Sequence, residues 1–325
     1  MKTQDADRAV GVADVAVSSA SIPVQTWLHD HAGEDSIATL VRTWLRRRRQ
    51  DLFDSAQTHA SAEQKPFWPA EFFGLDGVHA YQKASPALQQ KILWDCAYMV
   101  LGEAIQIERA GIAYAAKMSL IANTTTERQL YGVFVADEVA HLESLRPFAP
   151  ANSLEDEGPF LELLSAVIEN GSRTCLQYIV QVVLEGWGLT HYRHLRDVCA
   201  HDALRDVFDR ILGDEAAHHG SGILLLNDGA ALSEHKQEIH AWMRRFLALV
   251  QMGPVSVLEI LDHHVGPMSV EQRRAALAET DGGTHTQTRL ELLRELMGKP
   301  KGGPDLVAAM ESEGAFRPWD TAELL

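Results

Sequence analysis

Two stretches of this sequence carry side chains of the type and spacing that a metal ion requires: Asp137-Glu138-Val139-Ala140-His141 and Asp214-Glu215-Ala216-Ala217-His218. On an α-helix, residues three apart lie about 60° from one another on one face, so each Glu-x-x-His offers a carboxylate and an imidazole side by side. A single such pair is commonplace on a solvated helix. Two invite a test for a repeat, because Glu138 and Glu215 stand 77 residues apart. The same offset carries Glu108 onto Glu185, Gly111 onto Gly188, Asp137 onto Asp214 and His141 onto His218. Each half therefore reads Glu, an interval, then Asp-Glu-x-x-His.

The elements that position these residues follow from the interval. Glu108 lies about fifteen residues before Asn123-Thr124-Thr125 and Glu138 about thirteen after Thr125; in an antiparallel helical hairpin with a rise of 1.5 Å per residue, the two carboxylates return to nearly the same height. Glu185 and Glu215 do likewise around Ala200-His201-Asp202. The first helix opens at Ser85-Pro86, an N-cap followed by proline at the first helical position, and runs to Ala122. The second spans about 127–146 and stops at Pro147, the third about 172–199, and the fourth runs from Asp202 as N-cap to about Leu226. A short helix over 160–169 lies in the long connection between the halves. Four helices thus bring four glutamates and two histidines to one level, a ligand set for two metal ions.

With those six residues, Glu108, Glu138, His141, Glu185, Glu215 and His218, the chain resembles the ferritin-like di-iron carboxylate superfamily over about residues 85–228. The resemblance implies an all-α fold, a ferritin-like four-helix bundle with one long crossover, here with N-terminal and C-terminal helical extensions. It also implies that Asp137 hydrogen-bonds His218 and that Asp214 hydrogen-bonds His141, fixing the tautomer and orientation of each imidazole. Within the superfamily the expected activity is that of an O2-activating oxygenase or oxidase that hydroxylates, desaturates or N-oxygenates a small organic substrate and takes electrons from an external donor. The alternative is an iron-handling ferroxidase, storage or peroxide-scavenging protein. Arylamine N-oxygenases of the superfamily have a further histidine four residues before the last glutamate, where this chain has Ile211.

Carboxylate-rich sites with two imidazoles suit iron or manganese, whereas thiolates would have suggested zinc or an iron–sulfur cluster. Two Fe ions are the expected cofactor, with a Mn/Fe pair left open. Glu103 shares the first helix with Glu108, but it would sit about 7 Å along the axis and about 140° around it. Gly111 and Gly188 each follow a ligand glutamate by one turn, where either close packing or a substrate cavity would account for a missing side chain. Tyr178, Gln181 and Tyr192, at -7, -4 and +7, fall on the same face as Glu185, bringing polar tips toward an apolar channel. His219, four residues after Glu215, is a candidate extra ligand. His263-His264 is not read as a metal site.

The rest of the composition bounds the reading. A net charge of -16 over 325 residues argues against nucleic acid or an anionic membrane as partner. Cys96, Cys175 and Cys199 make no close pair, and the first twenty-two residues lack the apolar core of a signal peptide, so a reduced cytoplasm is expected. No run reads as a membrane span. The division is a flexible tail over 1–22, a helical and aromatic cover over 23–84, the metal-binding bundle over 85–228 and a helical appendage over 229–325. The cover includes a helix over 36–57 with the basic run Arg46-Arg47-Arg48-Arg49, then the segment Pro66, Phe67, Trp68, Pro69, Phe72, Phe73 and Tyr81, read as covering one end of the bundle. Ser233 and Ser269 are candidate N-caps in the appendage. About eighty residues before the bundle and a hundred after it suit an enzyme with a covered pocket better than a cage subunit; a homodimer is compatible with the sequence.

Overall fold

The computed structural model describes residues 65–150, 158–226, 229–253 and 255–320, and every regular element among them is helical. The expected tail over 1–22 and the helix of 36–57 with its arginine run lie outside the described residues.

Helix α1 is Pro86–Ile121, and its N-cap Ser85 accepts a hydrogen bond from the Leu88 amide. Helix α2 is Thr125–Leu145. Its N-cap Thr124 accepts from the Glu127 amide while Glu127 accepts from the Asn123 amide, so the three-residue turn between α1 and α2 is closed by its own side chains. Helix α3, Pro159–Asn170, lies in the connection, and Lys117 of α1 donates to the carbonyls of Ile168, Glu169 and Gly171 at its C-terminal end. Helix α4 is continuous but not uniform. An α-helical Arg173–Leu176 passes into a π-helical Gln177–Leu184 and then into an α-helical Glu185–Val198. Helix α5 is Asp202–Leu225. Its N-cap is His201, whose Nδ1 accepts from the Leu204 amide, whereas Asp202, expected as the cap, is the first helical residue and sits at the positive end of the helix dipole.

Side-chain pairs fix the directions. Tyr192 reaches Glu108 and Gln181 meets Tyr114, so α1 and α4 are antiparallel. Asp214 meets His141 and His218 meets Asp137, so α2 and α5 are antiparallel as well.

The apolar interior falls into two clusters with the charged residues between them. One cluster takes Tyr114, Met118, Phe134, Ile179 and Val183; the other takes Ile105, Leu142, Tyr192 and Ile211. Each of the four long helices crosses from one cluster to the other at its predicted ligand. The apolar residues on either side bury the carboxylates and keep the helices in register at that level.

After α5 come α6, Gly229–Glu234; α7, Lys236–Gln251; α8, Val255–Val265; α9, Val270–Glu279; α10, Gly282–Gly298; and α11, Gly303–Ser312. Ser269 closes a capping box with Gln272. Ser233, a candidate N-cap, instead lies inside α6, and α7 begins after His235. Residues 236–265 are long and apolar enough in composition to cross a membrane, contrary to the expectation that no run was. Gly253, at φ 72°, breaks that stretch into α7 and α8, which bury Met243, Phe246 and Leu261 in the two clusters. The aromatic segment before α1 packs on the α4–α5 turn: Trp68 Nε1 donates to the Leu195 carbonyl at 2.8 Å and the Ala200 amide to the Phe67 carbonyl.

Candidate metal centre

Glu108 on α1, Glu138 and His141 on α2, Glu185 on α4, and Glu215 and His218 on α5 converge. Their ligand atoms form two groups, each with its atoms within 4.8 Å of one another: Glu108, Glu138, His141 and Glu215, and Glu138, Glu185, Glu215 and His218. Five of the six residues are buried and Glu185 is partly exposed. The 77-residue offset read in the sequence carries Glu108, Glu138 and His141 of the first group onto Glu185, Glu215 and His218 of the second, and Glu138 and Glu215 occur in both groups.

Both histidines turn both ring nitrogens toward carboxylates. His141 Nδ1 lies 3.2 Å from Glu108 Oε2 and 3.2 Å from Glu215 Oε1, while its Nε2 lies 3.1 Å from Asp214 Oδ2. His218 Nδ1 lies 3.2 Å from Glu138 Oε1 and 3.4 Å from Glu215 Oε2, and its Nε2 lies 3.6 Å from Asp137 Oδ2. Each imidazole therefore turns Nδ1 toward the carboxylates and Nε2 toward an aspartate of the opposite half.

Without a cation these charges are reconciled by protons. Burial pushes the Glu108 carboxyl up to about 8, against the hydrogen bond with His141. Glu185 is raised well above the usual carboxylate range by burial and by Glu215, with which it shares a hydrogen bond. Burial acts the same way on Glu215, but its hydrogen bonds with Glu185, His141 and His218 hold it well below that range. Glu138 is lowered because its contacts with both histidines outweigh burial and the charge of Glu215. Burial disfavours imidazolium at His141 and His218, yet the aspartates and glutamates around each hold it above the ordinary histidine value.

The residues fit a metal pair on independent grounds. Glu215 Oε2 and both ring nitrogens of His218 are buried without a well-formed hydrogen bond, and such atoms are costly unless something binds them. Four clustered carboxylates, three of them buried, repel one another, and divalent cations would relieve that repulsion directly. The buried carboxylate and histidine groups are thus suited to hold metal. No family model, curated protein or solved structure matches the chain, and the reading of the site rests on its own geometry.

The other predicted site residues divide. Tyr192 is in the site: its hydroxyl donates to Glu108 Oε1 at 2.5 Å. Gly111 is against it, since a Cβ there would lie 2.7 Å from the Glu138 carboxylate; Gly188 has nothing within 4 Å of an added Cβ. Gln181, expected to face a channel, is fully buried in a polar network, accepting from Tyr114 and Tyr131 and donating to the His218 carbonyl and to Ser221. Tyr178 points away from the site and donates to the Met297 carbonyl of α10. The π-helical turns cause both departures, because each takes more residues than an α-turn and the face expected from α-spacing slips. His219 is in neither ligand group; its ring packs against Gly186. His264 pairs with Asp95 of α1 at 2.6 Å. Glu103 lies outside the cluster.

Sequence reasoning missed Phe134, whose ring centroid is 3.9 Å from that of His218. It stands four residues before Glu138, so helical spacing from the ligand would have found it.

Proposed function

We propose that this chain is a non-haem di-iron oxidoreductase on a ferritin-like bundle of α1, α2, α4 and α5, using O2 to oxidise a small organic molecule. One observation carries the proposal: Glu138 and Glu215 belong to both ligand groups. Two carboxylates common to two groups are what a bridged pair of ions needs, and an ordinary buried ion-pair network has no reason to be duplicated in this way. Glu108 and His141 would hold one ion, Glu185 and His218 the other, with Glu138 and Glu215 between them. Carboxylates with two imidazoles favour iron or manganese.

Bound iron would supply the electrons and the open coordination positions for reaction with O2. The protein's own part is orientation and exclusion. Asp214 holds His141 Nε2, so the Nδ1 lone pair is the one offered inward when the ring is neutral. Tyr192 occupies Glu108 Oε1, leaving Oε2 as the oxygen directed at the centre. Phe134 and the apolar clusters on both sides keep bulk water from the buried ligands. Glu185 marks the side from which a small molecule would approach.

The test is an anaerobic Fe(II) titration followed by exposure to O2 with an electron donor and candidate substrates. Two irons per chain, a coupled di-iron Mössbauer signature and an oxidised organic product are expected. Binding of one ion or none would sink the proposal, while O2 uptake proportional to added Fe(II) without organic product would point to ferroxidase chemistry.

A further inference from the structure

Gln181 of α4 joins its own helix to each of the other three long helices. It is fully buried, and its side-chain amide makes four hydrogen bonds. Oε1 accepts from the Tyr114 hydroxyl of α1 at 2.8 Å and from the Tyr131 hydroxyl of α2 at 3.1 Å. Nε2 donates to the His218 carbonyl of α5 at 3.1 Å and to Ser221 Oγ at 2.8 Å. A carboxamide has two acceptor lone pairs and two donors, so its capacity is filled. Its orientation is fixed too, because a backbone carbonyl can only accept and therefore selects the nitrogen. Tyr131 in turn accepts from the side-chain amide of Gln177, four residues back in the π-helical segment.

The first half of the repeat has no equivalent of this amide. The 77-residue offset carries Ser144 onto Ser221, and the two serines act alike: Ser144 Oγ donates to the His141 carbonyl at 2.7 Å, and Ser221 Oγ to the His218 carbonyl at 2.8 Å. The same offset carries Ala104 onto Gln181 and Leu145 onto Gly222. Alanine has no side-chain donor to give the His141 carbonyl, whereas Gln181 gives His218 a second one. Gly222 makes the room for it: a Cβ there would lie 2.9 Å from Gln181 Cγ and 3.2 Å from its backbone carbonyl carbon.

At the ring the two histidines differ in the complementary way. Asp214 lies 3.1 Å from His141 Nε2, but Asp137 is 3.6 Å from His218 Nε2, too long for a hydrogen bond, and neither ring nitrogen of His218 has a well-formed one. His141 is thus oriented through its imidazole, and His218 through its backbone. Glu185, which shares the second ligand group with His218, follows Gln181 by four residues on α4. The bond from Gln181 to the His218 carbonyl therefore holds the turn of α4 that carries one ligand against the turn of α5 that carries the other.

We propose that Gln181 is a positioning residue for the ion between Glu185 and His218: it sets the spacing of these two ligands, and the ion between Glu108 and His141 does not depend on it. The assignment rests on the proposed two-metal centre, whose two positions it makes unlike.

The test resolves the two positions. Anaerobic wild type, Gln181→Met, Gly222→Ala and Gly220→Ala are titrated with Fe(II) by calorimetry, with metal analysis and circular dichroism on each, and anomalous diffraction from the loaded crystals assigns occupancy to each position. Met keeps the volume of the side chain and makes none of the four bonds. Gln181→Met should weaken the ion beside Glu185 and His218 by about tenfold or more, the low end for groups that orient a metal ligand, and leave the other ion unchanged. Gly222→Ala should weaken the same ion, because its methyl displaces Gln181, whereas Gly220→Ala, exposed and with nothing within 4 Å of an added Cβ, should weaken neither. This glycine pair decides the matter if Gln181→Met fails to fold. Equal weakening of both ions, weakening of the Glu108 and His141 position alone, or unchanged binding in Gln181→Met and Gly222→Ala would overturn the assignment and leave the metal centre standing. Fewer than two irons in the wild type counts against the metal centre itself, and the assignment falls with it.

Discussion

Gly111 lies directly against Glu138: a Cβ built on the glycine would sit 2.7 Å from both the carboxyl carbon and Oε2 of the glutamate, and 3.2 Å from its Cγ. The glycine is the space in which a carboxylate common to both ligand groups rests. Its counterpart in the repeat, Gly188, touches nothing. Gly111→Ala should therefore displace Glu138 and weaken binding of both ions, by about tenfold or more if its effect matches loss of a residue that orients a metal ligand. Gly188→Ala should leave two-metal binding intact and stabilise α4 by about 0.5–1 kcal/mol, the usual gain when alanine replaces a helix-interior glycine. Fe(II) titrations and thermal melts of the two variants check the contrast, and equal effects on metal binding would contradict it.

Removing a shared ligand and removing an unshared one should both end two-metal occupancy. Glu138→Ala takes a carboxylate from both groups, and His218→Ala takes the only imidazole of the second. Neither should unfold the metal-free protein, because the apolar clusters on both sides of the site hold the four helices together and deleting His218 removes a ring already lacking good hydrogen bonds. Metal content per chain and far-UV circular dichroism are the measurements. Two ions retained in both variants would remove the basis for the site.

The aspartates should differ in weight. Asp214 is 3.1 Å from His141 Nε2, whereas Asp137 is 3.6 Å from His218 Nε2. Asp214→Asn should lower metal affinity by roughly 10–100-fold, the range typical of partners to ligating histidines, and Asp137→Asn by less. Competition against a chelator of known affinity ranks them, and the reverse order would show that the aspartates orient the rings differently once metal is bound.

The ligands are legible in the sequence because carboxylates and imidazoles repeated at helical spacing in both halves must converge once each half folds back on itself, and the turn at Asn123-Thr124-Thr125 fixes where a carboxylate returns. The faces of α4 are not. Counting in α-turns from Glu185 misplaces Tyr178 and Gln181, and nothing in the run Gln177–Leu184 announces that its hydrogen bonds skip one residue further. Nor can the repeat distinguish Gly111 from Gly188, because the difference lies in which neighbour leans against each.

Metal-free and metal-loaded protein should respond to pH in opposite senses. Glu108 has a folded value of about 8 against an ordinary 4.5, so between those limits the native chain keeps a proton that the unfolded chain releases, and stability falls as pH rises. Glu185, also raised, acts in the same direction. His141 and His218, raised above 6.5, extend the decline upward, since the unfolded chain sheds their protons first. Glu138 and Glu215, held low, matter only below about 4.5, where stability is lost as pH falls. EDTA-treated protein should therefore be most stable near pH 5 and lose Tm steadily toward pH 8. Metal binding must expel the same protons, so affinity grows across this window and the Tm gain on anaerobic Fe(II) loading should widen with pH. Calorimetry of both forms at several pH values checks this, and a gain that narrows from pH 5 to 8 would mean that these carboxylates and imidazoles are not what the ion displaces protons from.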